Sequence, residues 1–162
     1  MSYDRTDRDE TEAERLDRQL IELLQEVRVA VPGVQVLFAF LLTVPFSSAW
    51  DKTTDLQQDI YFATLLLTAV ATALLLAPSA VHRLLFQRGD KHYIVALANR
   101  VTVAGLAALA LAVTGAVFLV SDVLFDITAA AIAAGCILGF TVVLWYLLPL
   151  SRRFRGGAGP PT

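Results

Sequence analysis

Four stretches of this 162-residue chain limit its fold more than any other feature: about Val34 to Trp50, Ile60 to Val81, Ile94 to Val120 and Ile127 to Leu150 are apolar and almost free of charge. Crossing about 30 Å of hydrocarbon takes roughly 20 helical residues, and these runs supply them. A lipid-exposed backbone must satisfy its own amides, and the runs lack the alternation of a barrel strand, so each is expected to be a helix. The expected fold is therefore all-α, an integral membrane four-helix transmembrane bundle. With 56% hydrophobic and 17% charged residues, the chain has little polar surface to offer water.

Charge gives the orientation. Arg5, Arg8, Arg15, Arg18 and Arg28 precede the first run. Arg83, Arg88, Lys91 and Arg100 flank the loop between the second and third, and Arg152, Arg153 and Arg155 follow the fourth. Twelve of the thirteen basic residues thus fall on one side of an even number of spans. Only Lys52 falls on the other, beside Asp51, Asp55, Asp59, Asp122 and Asp126. Basic loops stay where synthesis occurs, which implies a multi-pass protein of the cell (inner) membrane with N- and C-termini cytoplasmic. Residues 2–15 mix acids and arginines, so the first span is expected to act as an uncleaved insertion signal.

Three segments follow. Residues 1–31 form a cytoplasmic N-terminal segment, 32–150 the four-span domain, and 151–162, rich in Gly and Pro, a disordered cytoplasmic tail. From Thr11 to Val31 the pattern reads as an N-terminal cytoplasmic amphipathic helix with Leu16, Leu20, Leu23 or Leu24, and Val27 on one face. The heptad lasts about two repeats, short for a coiled coil. Its charged face is more acidic than basic, which opposes adsorption to anionic lipid. Packing on the cytoplasmic ends of the bundle, self-association, or a cytoplasmic protein partner bound through residues 11–31 are the alternatives. Pro32-Gly33 is expected to separate this helix from the first span. Thr54 and Gln57 have capping-box spacing, and Asp90 and Asp126 are suited to cap the third and fourth helices.

Ionisable residues inside a bilayer signal function, and none falls near the middle of any run. That argues against a self-contained proton or sodium transporter. The nearest acids, Asp51, Asp55 and Asp59, are a candidate ion entrance at the outer mouth. The plainer reading is that they favour the positive end of the second helix and face headgroups. Arg28, His82, Arg83, Asn99 and Arg100 are a candidate cytoplasmic site for an anion or lipid headgroup, against the plainer reading of snorkelling flanks. Asn99 is expected to find an interhelical partner.

Gly135 and Gly139 form a GxxxG that Ala131 extends by a turn. Ala104, Ala108 and Ala112, with Gly105 and Gly115, give the third span a comparable face. These candidate helix-packing positions suit either close packing of spans three and four or a homo-oligomer interface. Pro45 leaves the Leu41 carbonyl without its helical donor and Pro78 does so for Leu74, with Thr43, Ser47 and Ser48 at hand near Pro45. Trp50, Tyr61, Trp145 and Tyr146 suit interfacial anchors. No nucleotide loop, zincin helix, nucleophile elbow or paired His and Cys set is present, and Cys136 is the single cysteine. No catalytic residue, cofactor, metal or nucleic-acid partner is expected; the bilayer itself is the assured partner.

The stretches ELLQEVRVAVPGVQVLFAFLLTVPF (22–46), Tyr61 to Phe86 ending APSAVHRLLF, Asn99-Arg100 and Trp145-Tyr146-Leu147-Leu148-Pro149 resemble a family of small actinobacterial four-span membrane proteins of unknown function. The resemblance covers roughly residues 22–150 and implies four spans without an assigned active site. Some members carry the label sodium:proton antiporter. The reading from residues and resemblance together is a self-associating, non-enzymatic membrane module. An oligomeric cation or proton transporter, and a membrane anchor recruiting a cytoplasmic partner, are the alternatives.

Overall fold

A computed structural model describes residues 12–85 and 91–148. Four long helices, α1 (Glu12–Thr43), α2 (Asp55–Leu85), α3 (Lys91–Leu124) and α4 (Ile127–Val142), carry the fold, and among the described residues there are no strands. α4 continues through a wider π turn, Val143–Leu147. All four are long and apolar enough to cross a membrane, which makes the chain a multi-pass membrane protein. The expected tail at 151–162, residues 1–11, and the Asp90 cap lie outside the described residues.

The first helix differs from expectation. It is not broken at Pro32: one helix runs from Glu12 to Thr43, so the amphipathic segment and the first span are a single rod. The heptad explains why. Leu16, Leu20, Leu23, Val27, Ala30, Val34, Leu37 and Leu41 follow alternating steps of four and three, and every one is buried or half-buried. The seam passes straight through the Pro32-Gly33 pair, which sits on the exposed side. There the lost hydrogen bond to Arg28 is set against eight packed positions, and the rod survives. Its outer face loses charge at one level: Glu22, Glu26 and Arg28 are exposed before it, and the exposed Val29, Gln35, Val36 and Phe40 after it carry none. A charged outer face demands water and an apolar one tolerates lipid, so the rod crosses the boundary near Arg28.

α1 lies along both α2 and α3, whereas among the described residues α4 touches only α3 of the other three helices. Val27 and Val34 of α1 meet Ala71 and Leu75 of α2 and Ala108 of α3 in the central cluster. Nearer the N-terminal end, Leu20 packs with Ile94 and Ala98, flanked by Leu23, Leu24, Val81 and Val95. The apolar stripe of the N-terminal segment is therefore spent on the chain's own bundle. α2 and α3 are held closely by glycine. A methyl placed on Gly105 would press on Leu74 and Leu75 at 3.0–3.2 Å, and one on Gly115 would overlap the Thr64 hydroxyl. Lipid gives helices little solvophobic reason to associate, so close backbone approach of this kind is what holds them.

The first span ends earlier than expected, at Thr43, and Pro45 falls in a short 3-10 turn (Val44–Phe46) rather than within the helix. A second 3-10 turn, Trp50–Lys52, leads to α2. The capping box at α2 forms: the Gln57 amide donates to Thr54 Oγ1 at 3.3 Å and the Thr54 amide donates to Gln57 Oε1 at 3.1 Å. Asp126 caps α4, accepting from the amides of Thr128 and Ala129 at 2.8 and 2.9 Å.

Candidate functional site

Polar chemistry gathers at the two ends of the bundle and leaves its middle to hydroxyls. At the end away from the N-terminus, Pro45 has no N–H to give the Leu41 carbonyl. Thr43 and Ser47, the nearer expected donors, bond Phe40 and Val44 instead. The buried Tyr61 hydroxyl of α2 supplies the missing donor at 2.8 Å, while its ring stands edge-on to Trp50 with centroids 5.0 Å apart. A proline just past the end of α1 thus leaves an acceptor that ties α1 to the next helix. Beside this tie, Phe40, Trp50, Tyr61, Ala116, Leu119 and Val123 line an almost wholly apolar cleft of about 270 Å³.

The same end holds a second tie. Gln57, already in the capping box, turns its amide nitrogen to Asp122 of α3 at 2.8 Å. Asp51, Asp55 and Asp59 are all exposed, and they are not one helical stripe: Asp51 lies in the 3-10 turn, separated from α2 by Thr53 and Thr54. No group of three or more His, Cys, Asp or Glu side chains is placed to hold a metal ion among the described residues.

In the middle, Thr64 and Thr68 are buried in α2, and Thr64, Thr68 and Thr72 each donate to the carbonyl four residues back at 2.7–2.8 Å. These hydroxyls are committed to their own helix. Thr102 of α3 is different: its hydroxyl is buried without a hydrogen-bond partner among the described residues. The Gly105 and Gly115 contacts set an antiparallel register that places Thr102 opposite fully buried Pro78.

At the N-terminal end, a groove of about 440 Å³ opens between α1 and α3. Gln19, Glu22 and Glu26 form one wall, Val95, Ala96 and Asn99 the other, with Leu16 and Leu23 at its base. Of the five residues expected to form an anion site, Asn99 alone lines this groove. Arg28, Arg83 and Arg100 are exposed and do not line it, and the His82 side chain lies outside the described residues. Asn99 faces the groove rather than an interhelical partner. In the sequence Glu22 and Glu26 belong to the charged face of an amphipathic helix; only the parallel run of α1 beside α3 gives them a wall opposite.

The fourth helix supplies the remaining candidate. Ala130 and Ala134 are its buried positions. Gly135 and Gly139 are exposed, and a methyl on either would meet nothing within 4 Å. The glycine face of α3 is turned to α2 instead, so spans three and four do not pack through their two small-residue faces. Cys136, beside this open face, is exposed and free. Trp145 is exposed in the π turn, and the Tyr146 hydroxyl reaches the Val103 carbonyl of α3 at 3.4 Å, a long contact.

Comparison with known proteins adds one finding. The model of a family of unknown function (DUF6328) matches residues 9–149, nearly the whole chain. No curated protein and no solved structure matches.

Proposed function

The chain belongs to this family of unknown function, and from that premise we propose that it is a non-enzymatic membrane module that self-associates in the bilayer through the outer face of α4. The carrying observation is the contrast among glycines: those of α3 are filled by α2, while Gly135 and Gly139 face open space. A helix that touches one neighbour and presents small residues one turn apart offers a second helix a close backbone approach. The bilayer in question is the cell's inner membrane, with both termini on the cytoplasmic side. That placement is supported by the twelve basic residues sharing one side.

The transporter alternative draws on Asp51, Asp55 and Asp59, but no Asp, Glu, Lys, Arg or His stands between Arg28 and Asp51, Asp59 and His82, Arg100 and Asp122, or Asp126 and Leu148. A proton or cation path would have to run between subunits along hydroxyls already bonded within α2. Recruitment of a cytoplasmic partner through residues 11–31 would have to use the outer, charged face, since the apolar stripe packs on α2 and α3.

Cys136 makes the test direct because it is the single cysteine and adjoins the open face. Mild oxidation of the full chain in nanodiscs or native membranes is expected to give a disulfide-linked dimer. Gly135→Leu with Gly139→Leu is expected to abolish that dimer while leaving the melting temperature in place, since both positions have room for a side chain. A wild-type chain that stays monomeric in mild detergent and in membranes overturns the reading.

A further inference from the structure

We propose that the groove between α1 and α3 is the seat of the chain's own basic C-terminal segment, Arg152-Arg153-Phe154-Arg155. The reading is independent of α4 self-association, and three observations carry it.

Among the described residues the lining of the groove carries two acids and no cation. Glu22 and Glu26 are one turn apart on the same wall, a like-charge spacing that disfavours the helix unless a positive group lies between or beside them. Neither glutamate has a charged partner among the described residues. Gln19 and Asn99 add amide groups at the same lining, and Leu16, Leu23, Val95 and Ala96 give it an apolar part.

The end of α4 is delivered to this place. Ala96, Asn99 and Val103 are spaced by three and four, so they form one stripe of α3. The first two line the groove and the third receives the Tyr146 hydroxyl. Val103 lies four residues past Asn99, about 6 Å along the axis. α4 runs antiparallel to α3 and reaches Leu148 two residues beyond Tyr146, so it is heading toward the groove.

Length and chemistry then match. Arg152 is four residues from Leu148 and Arg155 seven, which spans roughly 13–25 Å when extended, ample to reach both glutamates. Guanidinium groups pair carboxylates in a planar, two-point manner, and Phe154 sits between arginines where the groove offers apolar wall. A basic segment beside a bilayer has one strong competitor, the anionic headgroup, and the test must separate the two.

Trypsin cleaves after arginine, so the segment reports its own accessibility. In nanodiscs of zwitterionic lipid alone, cleavage at Arg152, Arg153 and Arg155 of the intact full-length protein is expected to be slow, and faster in high salt. Glu22→Gln with Glu26→Gln is expected to raise the rate about tenfold, the scale of two partly exposed ion pairs. Phe154→Ala leaves the bundle untouched and is expected to raise it as well, which guards against a groove variant that fails to fold. Equal cleavage rates in wild type and both variants overturn the proposal. So does protection that appears only when anionic lipid is added and ignores Glu22 and Glu26, which would assign the segment to headgroups.

Discussion

The α2–α3 interface and the outer face of α4 are built from the same residue types and are used in opposite ways. Gly105 and Gly115 face α2 side chains closely: a methyl would press on Leu74 and Leu75 at the first and overlap the Thr64 hydroxyl at the second. Gly135 and Gly139 have the spacing of an interface and no neighbour. The difference teaches that a small-residue motif in a membrane helix states a capacity for close approach, and only the surrounding topology states the partner. Here the topology is lopsided: among the described residues α1, α2 and α3 share one core, and α4 leans on α3 alone.

The sharpest way to break the contrast is to add one methyl to each face. Alanine is a better helix former than glycine by about 1 kcal/mol, so Gly135→Ala is expected to be neutral or slightly stabilising in the monomer. Gly115→Ala has the same propensity gain and a collision with Thr64, whose hydroxyl is bonded to the Ile60 carbonyl and whose position is buried. Overpacking of this kind costs about 1–3 kcal/mol, and the net effect is expected to be destabilising. Denaturation in mixed micelles measures both variants against wild type. Equal shifts for the two would mean that the tight and open faces are not different after all.

A second variant sharpens the contrast by asking what besides glycine holds the three-helix core. Tyr61→Phe keeps the ring and its edge-on contact with Trp50 but withdraws the donor from the Leu41 carbonyl. Pro45 cannot replace it, so the carbonyl is left unsatisfied. The expected loss is about 1 kcal/mol, between the small mean value of interhelical hydrogen bonds in membranes and the larger cost of a buried orphan. Pro45→Ala restores an N–H at the position that would serve Leu41, and in that background Tyr61→Phe is expected to cost less. A full loss in both backgrounds would show that the hydroxyl acts elsewhere.

How much of this was legible in the residues follows from which forces are local. Four membrane-crossing helices could be read directly because apolar length is a property of each segment by itself, and the caps at Thr54 and Asp126 because a cap involves neighbours in sequence. The unbroken α1 was hidden by Pro32-Gly33, whose cost is visible locally while the compensating seam from Leu16 to Leu41 is visible only over its whole length. Tyr61 could have been suspected, since Pro45 announces an acceptor, but the donor's identity depends on how α2 packs. The groove requires two helices about seventy residues apart in the chain to lie parallel, which no local signal reports. Gly135 and Gly139 have the spacing of packing residues; that a side chain there meets nothing among the described residues belongs to topology.

The smallest expected effect concerns the one flaw in the tight interface. Thr102 buries a hydroxyl with no partner opposite Pro78, in the register set by Gly105 and Gly115. Valine has nearly the same shape, so Thr102→Val exchanges an unsatisfied hydroxyl for a methyl without opening a cavity. Val is also no worse a helix former than Thr. The expected outcome is therefore a gain of a few tenths to about 1 kcal/mol in the same denaturation assay, opposite in sign to Gly115→Ala although both lie on α3 against α2. The sign decides the matter. If Thr102→Val destabilises, the hydroxyl has a donor or acceptor role at that level of the bundle, with the Leu74 carbonyl freed by Pro78 as the acceptor to examine, and the α2–α3 interface would be held by a polar tie as well as by close packing.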